Sequence, residues 1–366
     1  MKNMYKVTIA MPVYNVGNKV ERALLSALNQ TFESIEYLII DDKGTDYSMN
    51  IVNNVINNHP RGKDIRIIDH IVNRGTGATK NSAIDNAQGE YIYFMDSDDV
   101  ISHDCINLLY SKAKRYKVEI VASSHVICDE EFNIQNTCRY PYYLSGKHED
   151  LNDFVFKKRG FWTDYTWNKL YKLSFLKTNN IRCIPYHLCE DLYFTYQVKL
   201  KCKSFHICPN ITYAYVNNTN SLMGRGFNEK LVSQFYEVLL LEEDYIKNKS
   251  FNNYGYIVNA ISMLYIQLLF EIKRSKVIDN DTREIKRNSI INSFKDYVIA
   301  NYSDKILLDL INKYTMSNSI DDLMEWSQKT SLYRKSPYFI WKRILNKIWR
   351  MFDEFTNLHN NKFITN

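Results

Sequence analysis

"GEYIYFMDSDDV", residues 89–100, is the stretch on which the fold turns. It runs from a glycine through largely apolar residues into three acids, Asp96, Asp98 and Asp99. The apolar part reads as a buried strand. Burying an unpaired carboxylate costs several kcal/mol, so the acids must emerge into solvent, a partner or a metal.

The same arrangement recurs upstream. Residues 7–11 form an apolar β-type run that Pro12 stops, and residues 35–40 form a second strand ending at Asp41-Asp42. Helical spacing covers residues 19–29, with Val20, Ala23, Leu24 and Ala27 on one face. A helix over 48–57, a strand over 65–68, a helix over 77–87 and a strand over 91–95 complete the series. Strand and helix alternating at this interval predict an α/β fold with a mostly parallel sheet covered on both faces.

Ligands in such sheets bind outside the carboxyl ends of the strands. Those ends carry Pro12-Val13-Tyr14-Asn15, Asp41-Asp42 and Asp96-Ser97-Asp98. Three polar or acidic termini therefore converge on one edge.

Beyond residue 100 the pattern thins. Residues 120–123 read as a strand, 151–158 as the start of a helix, and 164–175, "DYTWNKLYKLSF", as a polar-aromatic cluster. Glu190-Asp191 opens a helix, since acids favour the first turn. From about residue 227 the chain is helix-like, with amphipathic segments at 231–247 and 254–272. The expected organisation is a catalytic domain over 1–225 and a C-terminal α-helical region over 226–366.

The composition sets outer bounds. A chain of 366 residues suffices for one large domain or two ordinary ones, and 45% hydrophobic with 24% charged residues supplies a globular core. The net charge of +6 is too mild to argue for nucleic acid. Seven cysteines without a CxxC pair read as reduced thiols of a cytosolic protein. Cys183, Cys189, Cys202 and Cys208 fit no standard zinc spacing. The first residues have too short an apolar core for a signal peptide, and no run approaches the roughly 18 to 20 apolar residues that span a bilayer.

Taken alone, a D-x-D triplet reads equally as a turn and a helix cap. Its chemistry also suits a metal: two carboxylates at a strand end can share a divalent cation that bridges diphosphate oxygens. Asp41-Asp42 reads as a turn or as an acceptor for a base or ribose. "NRGTGATKN", residues 73–81, carries glycines before a helix and could cradle a phosphate. It is not GxGxxG, and no GxxxxGK[ST] is present, which disfavours a dinucleotide dehydrogenase and a P-loop NTPase.

"VTIAMPVYN", "YLIIDDKGTDYS", "NRGTGATKNSAIDNAQGEYIYFMDSDD", "WNKLY" and "EDLYF" together resemble glycosyltransferase family 2, the inverting enzymes of the GT-A fold. The resemblance covers about residues 5–222. It departs from the family at Lys43-Gly44, where glycine-serine is usual, and at Lys80, where arginine is usual before the asparagine. The late metal-binding histidine of some members is not evident in "ITYAYVNNTNSLMG", and the processive signature QxxRW is missing.

What the resemblance implies is transfer of one sugar from a nucleotide diphosphate donor, a UDP-sugar first, to a glycan or lipid-linked acceptor in surface polysaccharide synthesis. Pro12, Val13, Tyr14 and Asn15 match the first nucleotide-binding loop. Asp42, with Asp41, matches the acid near the uracil or ribose, and Asn73 and Lys80 match positions on the nucleotide and diphosphate side. Asp96, Ser97 and Asp98 match the D-x-D, with Asp98 the direct ligand of Mn²⁺ or Mg²⁺ and Asp96 a ribose or metal contact. Asp191 matches the base, with Glu190 orienting it or contacting the acceptor. On the diphosphate and acceptor side, Lys169 or Lys80 would stabilise the leaving diphosphate, and Trp167 reads equally as a ring that stacks on a sugar and as a buried core tryptophan. The rival readings are a catalytically idle sugar-nucleotide or glycan-binding module of the same fold, and a sugar nucleotidyltransferase. The latter's glycine-rich, arginine-containing signature has no match in "MPVYNVGNKVERAL".

Residues 338–355, "YFIWKRILNKIWRMFDEF", place Trp341, Ile344, Leu345, Ile348, Phe352 and Phe355 at helical spacing, with the cations largely outside that stripe. Such a helix docks on an anionic membrane face or packs against the helical region or a second subunit. The expected location is the cytoplasm, at the inner face of the membrane if the tail docks.

Overall fold

The computed structural model describes residues 5–145, 151, 162–184, 190–217 and 285. The chain divides into two compact units, Met1–Arg225 with Phe363–Asn366, and Gly226–Lys362; the first is described below. The expected helical segments at 231–247, 254–272 and 338–355 lie outside the described residues, as does 151–158 apart from Leu151.

The first half alternates as the periodicity requires. β1 (Tyr5–Val13), α1 (Lys19–Leu28), β2 (Ile35–Asp41), α2 (Ser48–Asn58), β3 (Ile65–Asp69), α3 (Thr76–Asn86) and β4 (Gly89–Phe94) follow in order. β1 runs through Pro12, which the sequence marks as a stop. The last β1–β4 pair is Ala10–Phe94. Pro12 thus sits past that ladder, where its missing N–H forfeits no bond.

The second half adds β5 (Val100–Ile101), α4 (Cys105–Tyr116), β6 (Ile120–Cys128), β7 (Ile134–Cys138), β8 (Tyr143–Leu144), β9 (Lys169–Lys172), α5 (Leu173–Thr178), α6 (Glu190–Lys201) and β10 (Phe205–Val216). All ten strands join one sheet in the order β3-β2-β1-β4-β9-β6-β10-β5, with β7 on β6 and β8 on β10. β1, β2, β3, β4, β6 and β10 point one way, while β5, β7, β8 and β9 run against them.

The chain leaves β1 toward β2 and β3, then returns to place β4 on the other side of β1. That reversal opens a crevice at the carboxyl ends of β1 and β4. β9 runs antiparallel to β4, so the loop that precedes it lies at the same edge. α6 leads into the parallel strand β10, so its N-terminus lies there too.

Helices cover both faces. One face buries Val7, Ile9 and Met11 of β1 against Val20 and Leu24 of α1 and Val52 of α2. The other buries Leu38 and Ile40 of β2 against Ala83 and Ile84 of α3 and Phe194 and Val198 of α6. Among the described residues no helix is long and apolar enough to cross a membrane.

Candidate active site

The three acids after β4 divide into two kinds. Asp99 is buried and anchors the loop to β10: Tyr213 donates its hydroxyl to Oδ2 at 2.6 Å, and the Val216 N–H donates to Oδ1 at 2.8 Å. Asp96 and Asp98 are only partly buried, and no other described residue donates a hydrogen bond to either carboxylate. Burial pushes Asp96 up to about 7; Lys80 opposes the shift, and Asp98, Asp191 and Glu190 add to it. Burial raises Asp98 too, against its own backbone N–H and the charges of Lys19 and Arg22.

Carboxylates held above their ordinary range and short of donors suit a cation. Among the described residues no cluster of three or more His, Cys, Asp or Glu is arranged to hold a metal. The pair alone is the ligand set that Mg²⁺ or Mn²⁺ takes when diphosphate oxygens and water complete its shell. Ser97, between them, is buried.

On the far side of the crevice, α6 opens with Glu190 and Asp191 at its N-terminus. Lys80 of α3, 2% exposed, donates to Glu190 Oε1 at 3.0 Å and to Asp191 Oδ1 at 2.5 Å. Thr166 donates to the same Asp191 oxygen at 3.1 Å. Both donors thus hold Oδ1, and Oδ2 receives no hydrogen bond from a described residue. Burial alone would lower Lys80, but Asp191, Glu190 and Asp96 together raise it well above its ordinary value. Glu190 is pushed up to about 6, by burial first, with Lys80 opposing.

Gly77 lets these elements meet. A Cβ there would lie 1.7 Å from the carbonyl oxygen of Ile184 and 3.1 Å from the Glu190 Cβ. A side chain in the first turn of α3 would therefore push against Ile184 and Glu190.

Asp42 takes a different place from the one expected. It is buried, and Oδ1 accepts from His70 Nδ1 at 2.7 Å and the Arg74 N–H at 2.9 Å. Oδ2 accepts from Asn73 Nδ2 and the Gly75 N–H, both at 2.9 Å. A carboxylate has about four acceptor sites, so Asp42 has none left for a base or ribose. The same bonds correct the phosphate-cradle reading: the N–H groups of Arg74 and Gly75 before α3 are taken by a side chain of the protein. Asn73 likewise spends its amide on Asp42. His70, which the sequence reading missed, extends the clamp to Ser82 at 2.9 Å.

Asp41, less buried, accepts from the Lys43 N–H at 2.9 Å. Asn15 adopts a left-handed φ of 51° and accepts the Thr45 N–H on Oδ1 at 2.7 Å, tying the loop after β1 to the loop after β2. Pro12 and Val13 end β1 inside the sheet, and Tyr14 projects outward, 45% exposed.

Two further expectations change, and the two readings of Trp167 are resolved in favour of the core. Lys80 is buried and committed to the two acids of α6 instead of facing a diphosphate. Lys169 is fully buried, and its ammonium donates to Thr163 Oγ1, the Tyr165 carbonyl and Asn168 Oδ1 at 2.8 to 3.0 Å. It braces the loop before β9. Burial lowers its pKa to about 7, against the pull of Asp164 and Asp191.

Trp167 is 4% exposed, stacked on Tyr165, Tyr213 and Tyr215, and has no face left for a sugar. Sequence reasoning also missed Thr166, which sits inside "DYTWNKLY" with nothing local to mark its bond to Asp191.

Comparison with known proteins gives this edge a setting. Residues 8–178 match the family described as Glycosyl transferase family 2. An uncharacterized glycosyltransferase of Haemophilus influenzae is 35% identical over 131 residues, which is 36% of this chain and 51% of that protein. A poly(ribitol-phosphate) beta-glucosyltransferase of Bacillus spizizenii is 32% identical over 197 residues, 52% of this chain and 29% of that protein. The match thus spans about half the length of the first relative and under a third of the second.

Among solved structures, S. aureus TarS 1–349 in complex with UDP-GlcNAc superposes with a TM-score of 0.62 at 19% identity, covering 81% of this chain and 82% of that one. At that identity the likeness speaks for the fold. Residues 8–178 thus match glycosyltransferase family 2, and the fold is similar to that of the GT-A glycosyltransferase TarS.

Proposed function

We propose that the chain transfers a single sugar from a nucleotide diphosphate donor, a UDP-sugar first, to a hydroxyl of a glycan or lipid-linked saccharide, with inversion, in surface polysaccharide synthesis. The observation that carries this reading is the state of Asp191. One oxygen is fixed by Lys80 and Thr166, and the other is free of described donors. A carboxylate oriented by one oxygen and open at the other can take the proton of an attacking hydroxyl.

The step is a single displacement. The acceptor oxygen forms a bond to the anomeric carbon, the bond to the diphosphate oxygen breaks, and the electron pair leaves with the diphosphate. The hydroxyl proton passes to Asp191 Oδ2. Asp96 and Asp98 would hold Mn²⁺ or Mg²⁺, which when bound offsets the charge growing on the leaving diphosphate. The loops after β1 and β2, with Tyr14, Asn15 and Asp41, would flank the nucleotide.

The bound donor of TarS and the polymer-modifying relative support this choice of substrates. The same reading keeps residues 226–366 as a separate helical region. It also keeps residues 338–355 as a helix that packs against the helical region, dimerises or docks on the cytoplasmic membrane face.

The deciding variant is Asp191→Asn. UDP release from UDP-glucose, UDP-galactose and UDP-GlcNAc, with and without Mn²⁺, should fall by about 10²-fold or more, with UDP affinity kept. Wild-type turnover, or a parallel loss of UDP affinity, would remove Asp191 from the role of base.

A further inference from the structure

The aromatic residues at this edge form a continuous stack. Tyr213, whose hydroxyl is bound to Asp99, stacks on Trp167 at 4.7 Å with an interplanar angle of 11°. Trp167 stacks on Tyr165 at 4.7 Å and 9°. Exposure then changes abruptly along the stack, from 0% at Tyr213 and 4% at Trp167 to 49% at Tyr165. Trp167 covers one face of the Tyr165 ring, and about half of the residue stays exposed.

Position gives that exposure its meaning. The next residue, Thr166, donates to Asp191 Oδ1 at 3.1 Å. The ring therefore stands one residue from a contact to the carboxylate whose free oxygen would meet the acceptor hydroxyl. It is also rigidly backed, because the Tyr165 carbonyl accepts from Lys169 at 2.8 Å. The sugar-stacking reading of Trp167 is thereby transferred to the residue two before it.

We infer that Tyr165 is the platform on which a pyranose ring of the acceptor stacks. This rests on the transferase reading of the same site. A pyranose presents a face of C–H groups, which carry slight positive charge, and an aromatic ring presents a face of negative charge. A tyrosine backed by tryptophan offers such a face with little side-chain freedom left to lose.

The test uses saturation-transfer NMR on the full chain with UDP and Mn²⁺ present. The probes are methyl β-D-glucopyranoside, methyl β-D-galactopyranoside and methyl N-acetyl-β-D-glucosaminide. At least one should receive saturation on one ring face from wild type and from Tyr165→Phe, and lose most of it with Tyr165→Ala. UDP affinity, which the ring does not serve, reports that each variant is folded.

Equal saturation from wild type and Tyr165→Ala would overturn the platform, and so would its absence from wild type for all three glycosides. UDP release by wild type is scored separately. Its absence would sink the transferase reading while the glycoside signal still reported on the ring.

Discussion

Lys80 and Asp191, 111 residues apart in sequence, meet at 2.5 Å between Nζ and Oδ1. The same ammonium reaches Glu190, and its charge is felt by Asp96. One buried cation thus stands between the D-x-D acids and the acids of α6. Replacing it with an uncharged side chain strands the pair on α6.

Lys80→Met should therefore destabilise the protein by about 3–5 kcal/mol, the cost of leaving a buried charge without its partner. Lys80→Arg, which keeps the charge, should lose less. Denaturant unfolding at pH 7.5 measures both. Equal losses would show that shape, and not charge, matters at this position.

Glu190 provides a pH signature. Its pKa rises from 4.5 to about 6, burial being the largest cause. A carboxyl whose folded pKa exceeds its unfolded one binds extra protons in the native state. Its stabilising effect is thus complete below the unfolded value and is lost as pH climbs through the folded one. Melting temperatures taken from pH 4 to 7.5 should carry a declining component between about 4.5 and 6 that Glu190→Gln removes. If the two proteins decline in parallel, the carboxyl is not held in that state.

How far the sequence could be read follows from how local each signal is. The boundaries of α1, α2, α3 and β2 fall within a residue or two of what periodicity predicts, because 3.6- and 2-residue patterns are written along each element. β9 escaped notice: four residues beginning with a lysine carry no alternation, and their place between β4 and β6 is set by partners far away in sequence. Asp42 looked like a ligand acceptor because an acid after a strand usually faces outward. Only the loop 31 to 33 residues later shows that its oxygens are filled. The choice between Trp167 and Tyr165 was likewise illegible, since both are aromatic and only packing decides which ring is covered.

Gly77 tests the seam between α3 and α6. Alanine favours a helix over glycine by about 1 kcal/mol, so the substitution should stabilise α3 in isolation. In the fold its Cβ would stand 1.7 Å from a backbone oxygen that cannot rotate away. Gly77→Ala should therefore lower stability by about 1–3 kcal/mol, the usual cost of overpacking, and displace Glu190 with it. A melting temperature at or above wild type would mean that the segment near Ile184 yields freely.

The acid run after β4 makes the sharpest contrast, because adjacent carboxylates have opposite duties. Asp99→Ala removes the acceptor of Tyr213 and Val216 and leaves both donors buried, which should cost about 1–3 kcal/mol. Asp98→Ala removes a carboxyl that burial already disfavours and that no other described residue donates to, so the melting temperature should hold or rise. Calorimetric titration of UDP in Mn²⁺ should show the reverse order of damage. Asp98→Ala loses the metal-dependent part of the affinity, while Asp99→Ala, where folded, keeps a measurable share. Wild-type UDP affinity in Mn²⁺ for Asp98→Ala would take the metal away from the D-x-D pair.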